Sequence, residues 1–163
     1  VVWIGLAPEL DGLGLLVDFG ARLAGIPWTD YYQTYHRLWG HGLPAALVFS
    51  ALVFALARRR WRAALVAFVS VHLHFLMDLA GSRGGDPEDL WPIHYLMPVS
   101  EAVTIVWTGQ WELVSWQNTT ITAALVVAAL AMAHRRGYSP VSLFSRKADA
   151  AVVAALRNRW RTG

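Results

Sequence analysis

The chain has 163 residues, a net charge of +3, 56% hydrophobic residues, nine tryptophans and no cysteine. That length suits one domain, with at most an appendage, and the apolar share exceeds the roughly 45–50% of a soluble domain. Without cysteine there is no disulfide framework and no thiolate zinc site, so any metal must be held by nitrogen and oxygen.

In chain order, Val1 to Leu6 reads as the apolar end of a helix that begins before Val1, and it runs into Ala7-Pro8-Glu9-Leu10-Asp11-Gly12. Leu13 to Ala24 is mildly apolar, interrupted by Asp18 and Arg22. A polar, aromatic stretch from Ile26 to Gly42 contains His36, Arg37 and His41. Leu43 to Ala57 is uninterrupted apolar sequence closed by Arg58-Arg59-Arg60-Trp61-Arg62. With the aromatic residues before it, this run approaches the ~20 residues that cross a bilayer. A second apolar run, Ala63 to Ala80, carries His72, His74 and Asp78.

Gly81 to Leu90 reads as a loop, and Trp91 to Pro98 as irregular interfacial backbone. Val99 to Trp107, with Glu101, reads as a partly inserted helix. Leu113 to Ala133 is a third span, ended by His134-Arg135-Arg136-Gly137, and the tail after Pro140 is a basic helix. The pattern predicts an all-α, polytopic membrane helical bundle with three complete spans, a truncated N-terminal helix and a basic C-terminal helix. Residues 1–140 would form the membrane-embedded domain and 141–163 a basic cytoplasmic tail.

Eleven of the fourteen basic residues follow the first or the third complete apolar run, whereas ten of the eleven acids lie in the other segments. That placement, despite a pI of about 9.7, argues for a membrane and against a nucleic-acid partner. By the positive-inside rule the Arg58–Arg62 turn and the C-terminus face the cytoplasm. His36 and His41, just before the first run, then lie at the outer end. His74 and Asp78, closing the second run, lie there too, and so does Asp11. Most of the tryptophans at this end suit an aromatic belt at headgroup level. Asp18, Asp86, Glu88 and Asp89 suit headgroup water.

His74 and Asp78 are four residues apart, so on a helix they share a face. His72 points elsewhere and reads as a hydrogen-bonded core residue. Polar groups within a span are costly and tend to mark function. Imidazole and carboxylate together suit zinc first, with manganese or iron also compatible. Asp11, His36, His41, His74 and Asp78 suffice for one ion or a two-metal cluster, which would polarise an ester or phosphoester oxygen. Glu9 or Glu101 suits a general base. Arg37, and Arg83 in the Gly-rich loop, suit an anionic substrate group, while the Trp-Pro context of His94 suits either the site or the surface.

Pro8-Glu9-Leu10-Asp11, His36-Arg37 with His41, His74-x-x-x-Asp78, and then Trp91-Pro92 and Met97-Pro98 together resemble the bacterial membrane-bound metal-dependent hydrolase family of the inner-membrane, LexA-regulated type. The resemblance covers Leu6 to about Ser100. Glu9 stands where that family has the first Asp of Pro-Asp-x-Asp. Leu38, Gly40 and Gly42 replace the Gly, Thr and Ser of its His-Arg-Gly-x-Thr-His-Ser element, so hydroxyl roles there are absent. The order of ligands is also faintly similar to zinc-dependent phospholipase C.

The resemblance implies hydrolysis of a lipid or amphiphile at the outer face of a bacterial cytoplasmic membrane. Asp11, His36, His41, His74 and Asp78 would hold the metal, Glu9 and Arg37 would act in catalysis, and Arg37 and Arg83 would bind substrate. Membrane lipids are the expected surroundings, with the basic tail on anionic lipid or a cytoplasmic partner. The alternative is a non-enzymatic membrane subunit whose polar cluster binds a partner or a structural ion.

Overall fold

The longer hydrophobic runs become helices, because nothing in them offers the backbone a competing turn. In the computed structural model, which describes residues 2–27, 29–36 and 38–161, the α-helices are α1 (Gly14–Leu23), α2 (Tyr31–Tyr35), α3 (Leu43–Leu56), α4 (Arg60–Gly81), α5 (Trp116–Arg136) and α6 (Arg146–Arg161). Residues Val1–Leu113 form one unit and Val114–Gly163 a second.

Two helices, α4 with 22 residues and α5 with 21, are long and apolar enough to cross a membrane. At about 1.5 Å per residue each exceeds the ~30 Å hydrocarbon core. Only 17% of the apolar window of α4 and 6% of that of α5 is buried inside the protein. Leu65, Leu73 and Leu76 on α4, and Leu125 and Val127 on α5, are exposed. A soluble core helix would cover such side chains; these need an apolar solvent.

The first apolar run is shorter than its sequence suggests. Helix α3 has 14 residues, about 21 Å at the usual rise, and does not extend back into the aromatic stretch. Gly42 is extended (φ −141°, ψ 172°) and Pro44 stands in the first turn, which starts the helix afresh after a bend. The N-terminal segment, expected to be the end of a helix, is a 3-10 helix over Val2–Leu13 with Pro8 inside it.

Val99 to Trp107 is not a partly inserted helix. Thr104–Ile105 (β2) pairs antiparallel with Ile93–His94 (β1), Ile93 opposite Ile105. The run Val103-Thr104-Ile105-Val106 is β-branched throughout, which favours a pleated strand over a helical turn. Asp18, expected in headgroup water, instead ties α1 to α2. Its carboxylate accepts from the Thr29 hydroxyl (2.7 Å) and from the N–H groups of Tyr31 (3.0 Å) and Tyr32 (2.9 Å), serving an N-terminus that Asp30 leaves uncapped.

The core of the first unit is Ala46 from α3, Val71 and Phe75 from α4, and Ile93 from β1, surrounded by Ile4, Phe49, Phe68, Leu79, Trp91 and Tyr95. Small Ala46 and Ala67, both fully buried, allow α3 and α4 to approach closely. The segment 110–113 closes on the end of α4: Trp111 N–H donates to the Ala80 carbonyl and Leu113 N–H to that of Arg83.

In the second unit, α5 is capped by the Ser115 hydroxyl, which accepts from Asn118 N–H, and ends at Gly137 in the left-handed region (φ 76°). Buried Asp149 of α6 accepts from both the N–H and the hydroxyl of Ser139 (2.7 and 2.6 Å). Arg157 Nε donates to the His134 carbonyl at the end of α5, where a cation also meets the negative end of the helix dipole. The basic tail helix is thus fastened to the end of α5.

Candidate metal centre

Three separated stretches meet at one place: the 3-10 segment with Glu9 and Asp11, the loop from His36 to His41, and the last two turns of α4 with His74 and Asp78. The loop can reach the 3-10 segment because Gly40 has no side chain. A Cβ at Gly40 would collide with the Pro8 carbonyl oxygen and lie 3.0 Å from Asp11 Oδ2. In that close approach the Gly40 N–H donates to Asp11 Oδ2 at 2.8 Å. Gly42 is equally confined, since a Cβ there would lie 2.9 Å from the Tyr95 carbonyl oxygen. The residues that replace Thr and Ser in the resembling motif therefore serve backbone packing.

The cluster has two layers. Asp11 is an acceptor: His36 Nδ1 donates to its Oδ1 (2.8 Å) and His41 Nδ1 to its Oδ2 (3.0 Å). The Asp11 side chain is only 4% exposed and that of His41 fully buried, so these contacts exclude water. With Nδ1–H directed at Asp11, the neutral ring of His41 carries its lone pair on Nε2, which faces the second layer.

In that second layer His41 Nε2 stands 3.4 Å from His74 Nε2 and 3.4 Å from Asp78 Oδ2. His74 Nε2 stands 3.2 Å from Asp78 Oδ2 and 3.3 Å from Glu9 Oε1. Asp78 Oδ2 is buried and, among the described residues, accepts no well-aligned hydrogen bond, while Ser82 Oγ donates to its Oδ1 at 3.4 Å.

These distances suit an ion. Ligands about 2.0–2.1 Å from a tetrahedral centre are separated by about 3.3–3.4 Å from one another. His41 Nε2, His74 Nε2 and Asp78 Oδ2 stand at about that edge from one another, and Glu9 Oε1 does so from His74 Nε2. Nitrogen and carboxylate oxygen together form a donor set for zinc, manganese or iron. Among the described residues the groups able to hold an ion are Glu9–His41–His74 and Asp11–His36–His41. The in-line hydrogen bonds of the second make it the support of the first, in the carboxylate–histidine pattern that fixes a ligand's tautomer.

Burial alone would raise the Asp11 carboxyl, but hydrogen bonds from His36, His41 and Gly40 overcome it and hold it well below the usual range. Burial alone would lower His41, and the carboxylates of Asp11 and Asp78 outweigh that, raising it to about 9. Without an ion His41 therefore keeps a proton at neutral pH, and an ion entering the site must displace it. Ion affinity is expected to strengthen by up to about tenfold per pH unit from neutrality to about 9, then level off. Ion titrations of the full-length protein across that range check the slope, and a flat profile would contradict it.

The remaining sequence candidates lie elsewhere. His72 is half-buried. Its Nδ1 donates to the Phe68 carbonyl (2.9 Å), and its Nε2 meets the Tyr95 hydroxyl (3.1 Å), the core role its position suggested. His94 Nδ1 contacts the Thr104 hydroxyl at 3.2 Å, and Glu101 is exposed; neither belongs to the groups above. Arg83 Nε donates to the Gln110 carbonyl (3.2 Å) and its Nη2 to Glu112 (2.9 Å). Arg37 lies outside the described residues.

Three further side chains contribute, Trp91 of the Trp91-Pro92 element and, beyond the residues the sequence marks, Phe75 and Ser82. Trp91 sets its ring edge-on to His36 (5.3 Å) and His41 (6.3 Å), and it is held by Gln110, whose side chain bonds both its N–H and its carbonyl (2.8 Å each). Phe75 packs on His41 at 6.0 Å. Ser82, four residues after Asp78, was open to prediction from helical spacing, and Trp91 stands in the Trp-Pro element; no sequence signal marks Phe75.

Residues 2–155 match the model of the YdjM inner membrane protein family. No curated protein matches the chain, and no solved structure does.

Proposed function

This chain belongs to the YdjM inner membrane protein family, and on that premise we propose that it is a metal-dependent hydrolase of an ester or phosphoester in a lipid or other amphiphile. The observation that carries the reading is the meeting of His41 Nε2, His74 Nε2 and Asp78 Oδ2, each 3.2–3.4 Å from the other two, with Glu9 Oε1 3.3 Å from His74 Nε2.

His41, His74 and Asp78 would hold the ion. Asp11 and His36 support His41 from behind, and Trp91 and Phe75 keep water from that side. Once bound, a divalent ion supplies Lewis-acid polarisation of the scissile group's oxygen. Glu9, whose side chain is 52% exposed, would act as the general base that takes the proton of the attacking water. Arg37, next to His36 in the chain, meets an anionic headgroup. Arg83, tied to Gln110 and Glu112, braces the segment that carries Gln110 against Trp91.

The chain spans the inner membrane several times, with the C-terminus in the cytoplasm and the site facing outward. The support is the arginine-rich stretch, Arg58–Arg62, that closes the first apolar run and the Arg135-Arg136 pair that closes the third.

A second reading, a structural ion in a non-enzymatic subunit, is favoured by Glu9 Oε1 lying 3.3 Å from His74 Nε2, near enough to serve as a further ligand. Assays of the full-length protein on a chromogenic ester and a phosphodiester of amphiphilic alcohols separate the two. Hydrolysis that a chelator abolishes and zinc restores, and that Glu9→Gln lowers by about 10²–10⁴-fold with the ion retained, is the expected result. An ion-loaded wild type inactive on both substrates, with the ion lost in Glu9→Gln, establishes the structural reading instead.

A further inference from the structure

The turn between α3 and α4 is the most cationic surface of the first unit. Arg58, Arg59, Arg60 and Arg62 fall within five residues, and all four are exposed. Among the described residues none of them forms an ion pair; the arginine ion pair there is Arg83 with Glu112. Three of the four, with Trp61, line an open concavity of about 350 Å³.

Trp61 is 80% exposed and is held by an edge contact to Phe54, centroids 4.7 Å apart. The Arg60 guanidinium lies 5.9 Å from the centre of that same Phe54 ring. An outward indole fixed beside guanidinium groups, at the mouth of a membrane-length helix, has its ring at the depth of lipid glycerol and its cations at the depth of phosphate. Arginine binds phosphate oxygens through paired, planar hydrogen bonds.

We propose that the Arg58–Arg62 turn is a binding site for the headgroup of an anionic phospholipid, taken from the leaflet in which the turn lies. The phosphodiester sits among Arg59, Arg60 and Arg62, and the indole of Trp61 lies along the upper acyl chains. The site is remote in sequence from the histidine cluster and does not depend on hydrolase activity. It would anchor the α3–α4 hairpin, whose first helix is too short to span at full bilayer thickness, by drawing its basic end to the headgroups.

The test uses the full-length protein in phosphatidylcholine bilayers with spin-labelled phosphatidylglycerol or phosphatidylcholine as probe. Wild type is expected to hold the anionic probe about fivefold more strongly, a preference that falls in high salt. Arg58→Gln, Arg59→Gln, Arg60→Gln and Arg62→Gln together should bring the two probes close to parity. The four corresponding Arg→Lys changes should keep part of the preference, since they preserve charge but not the paired geometry.

A C-terminal reporter shows that orientation is unchanged. Should the fourfold Gln variant insert wrongly, Arg60→Gln with Arg62→Gln leaves Arg58 and Arg59 to orient the chain and must still lose about half the preference. A correctly inserted variant with undiminished preference overturns the proposal and moves the anionic lipid to the basic tail. Displacement of the lipid probe by an equal concentration of inorganic phosphate overturns it in favour of a soluble-anion site.

Discussion

Replacing His74 and Asp78 together by alanine is expected to lower the bound divalent ion from about one per chain to background. The measurement is elemental analysis of the purified full-length protein beside the wild type. His74 Nε2 is the atom nearest to every other member of the second layer: Glu9, His41 and Asp78 all stand 3.2–3.4 Å from it. Removing it with Asp78 leaves the second layer with His41 and half-exposed Glu9, two donors where there were four.

The fold should survive. Alanine is the best helix former, both side chains are partly solvated, and the core contacts of α4 belong to Val71 and Phe75. A wild type without metal would remove the basis of the hydrolase reading. A variant that retains the wild-type amount would place the ion elsewhere.

Asp11→Asn is expected to weaken ion affinity by about 10–100-fold without abolishing it. The carboxylate accepts from His36 Nδ1, His41 Nδ1 and Gly40 N–H at once. An amide of the same shape offers one oxygen and turns an NH2 group toward a ring nitrogen that was a donor. His41 can answer by moving its proton to Nε2, the atom needed for the ion. A buried mismatch of this kind also costs about 1–3 kcal/mol of stability. Affinity from metal titration, set beside His41→Ala, distinguishes support from ligation. If Asp11→Asn loses the ion as completely as His41→Ala, Asp11 is itself a ligand and the two-layer arrangement falls.

Much of this arrangement was legible before any coordinates. Hydropathy and charge locate α4 and α5, because the cost of placing side chains in hydrocarbon is local and nearly additive along a helix. The same patterns bring His36, His41, His74, Asp78 and Asp11 to one end of the apolar runs, and the structure brings these residues together with Glu9. The spacing of His72 against His74 separates a core histidine from a site histidine through helix geometry alone.

What the pattern does not carry is the direction in which each donor atom points. Asp11 and Glu9 are two residues apart in one motif, yet Asp11 faces the Nδ1 atoms of two histidines and Glu9 faces the Nε2 of a third. The close approach of the 36–41 loop to Pro8, possible only at a glycine, determines that difference. The short α3 and the β1–β2 pairing likewise depend on a bend at Gly42 and on partners distant in sequence. Composition and spacing thus determine a helical membrane protein with a histidine–carboxylate cluster at one end of its helices. Tertiary contacts alone decide which atoms of the cluster offer a lone pair to an ion, because a ring's tautomer is set by what touches its other nitrogen.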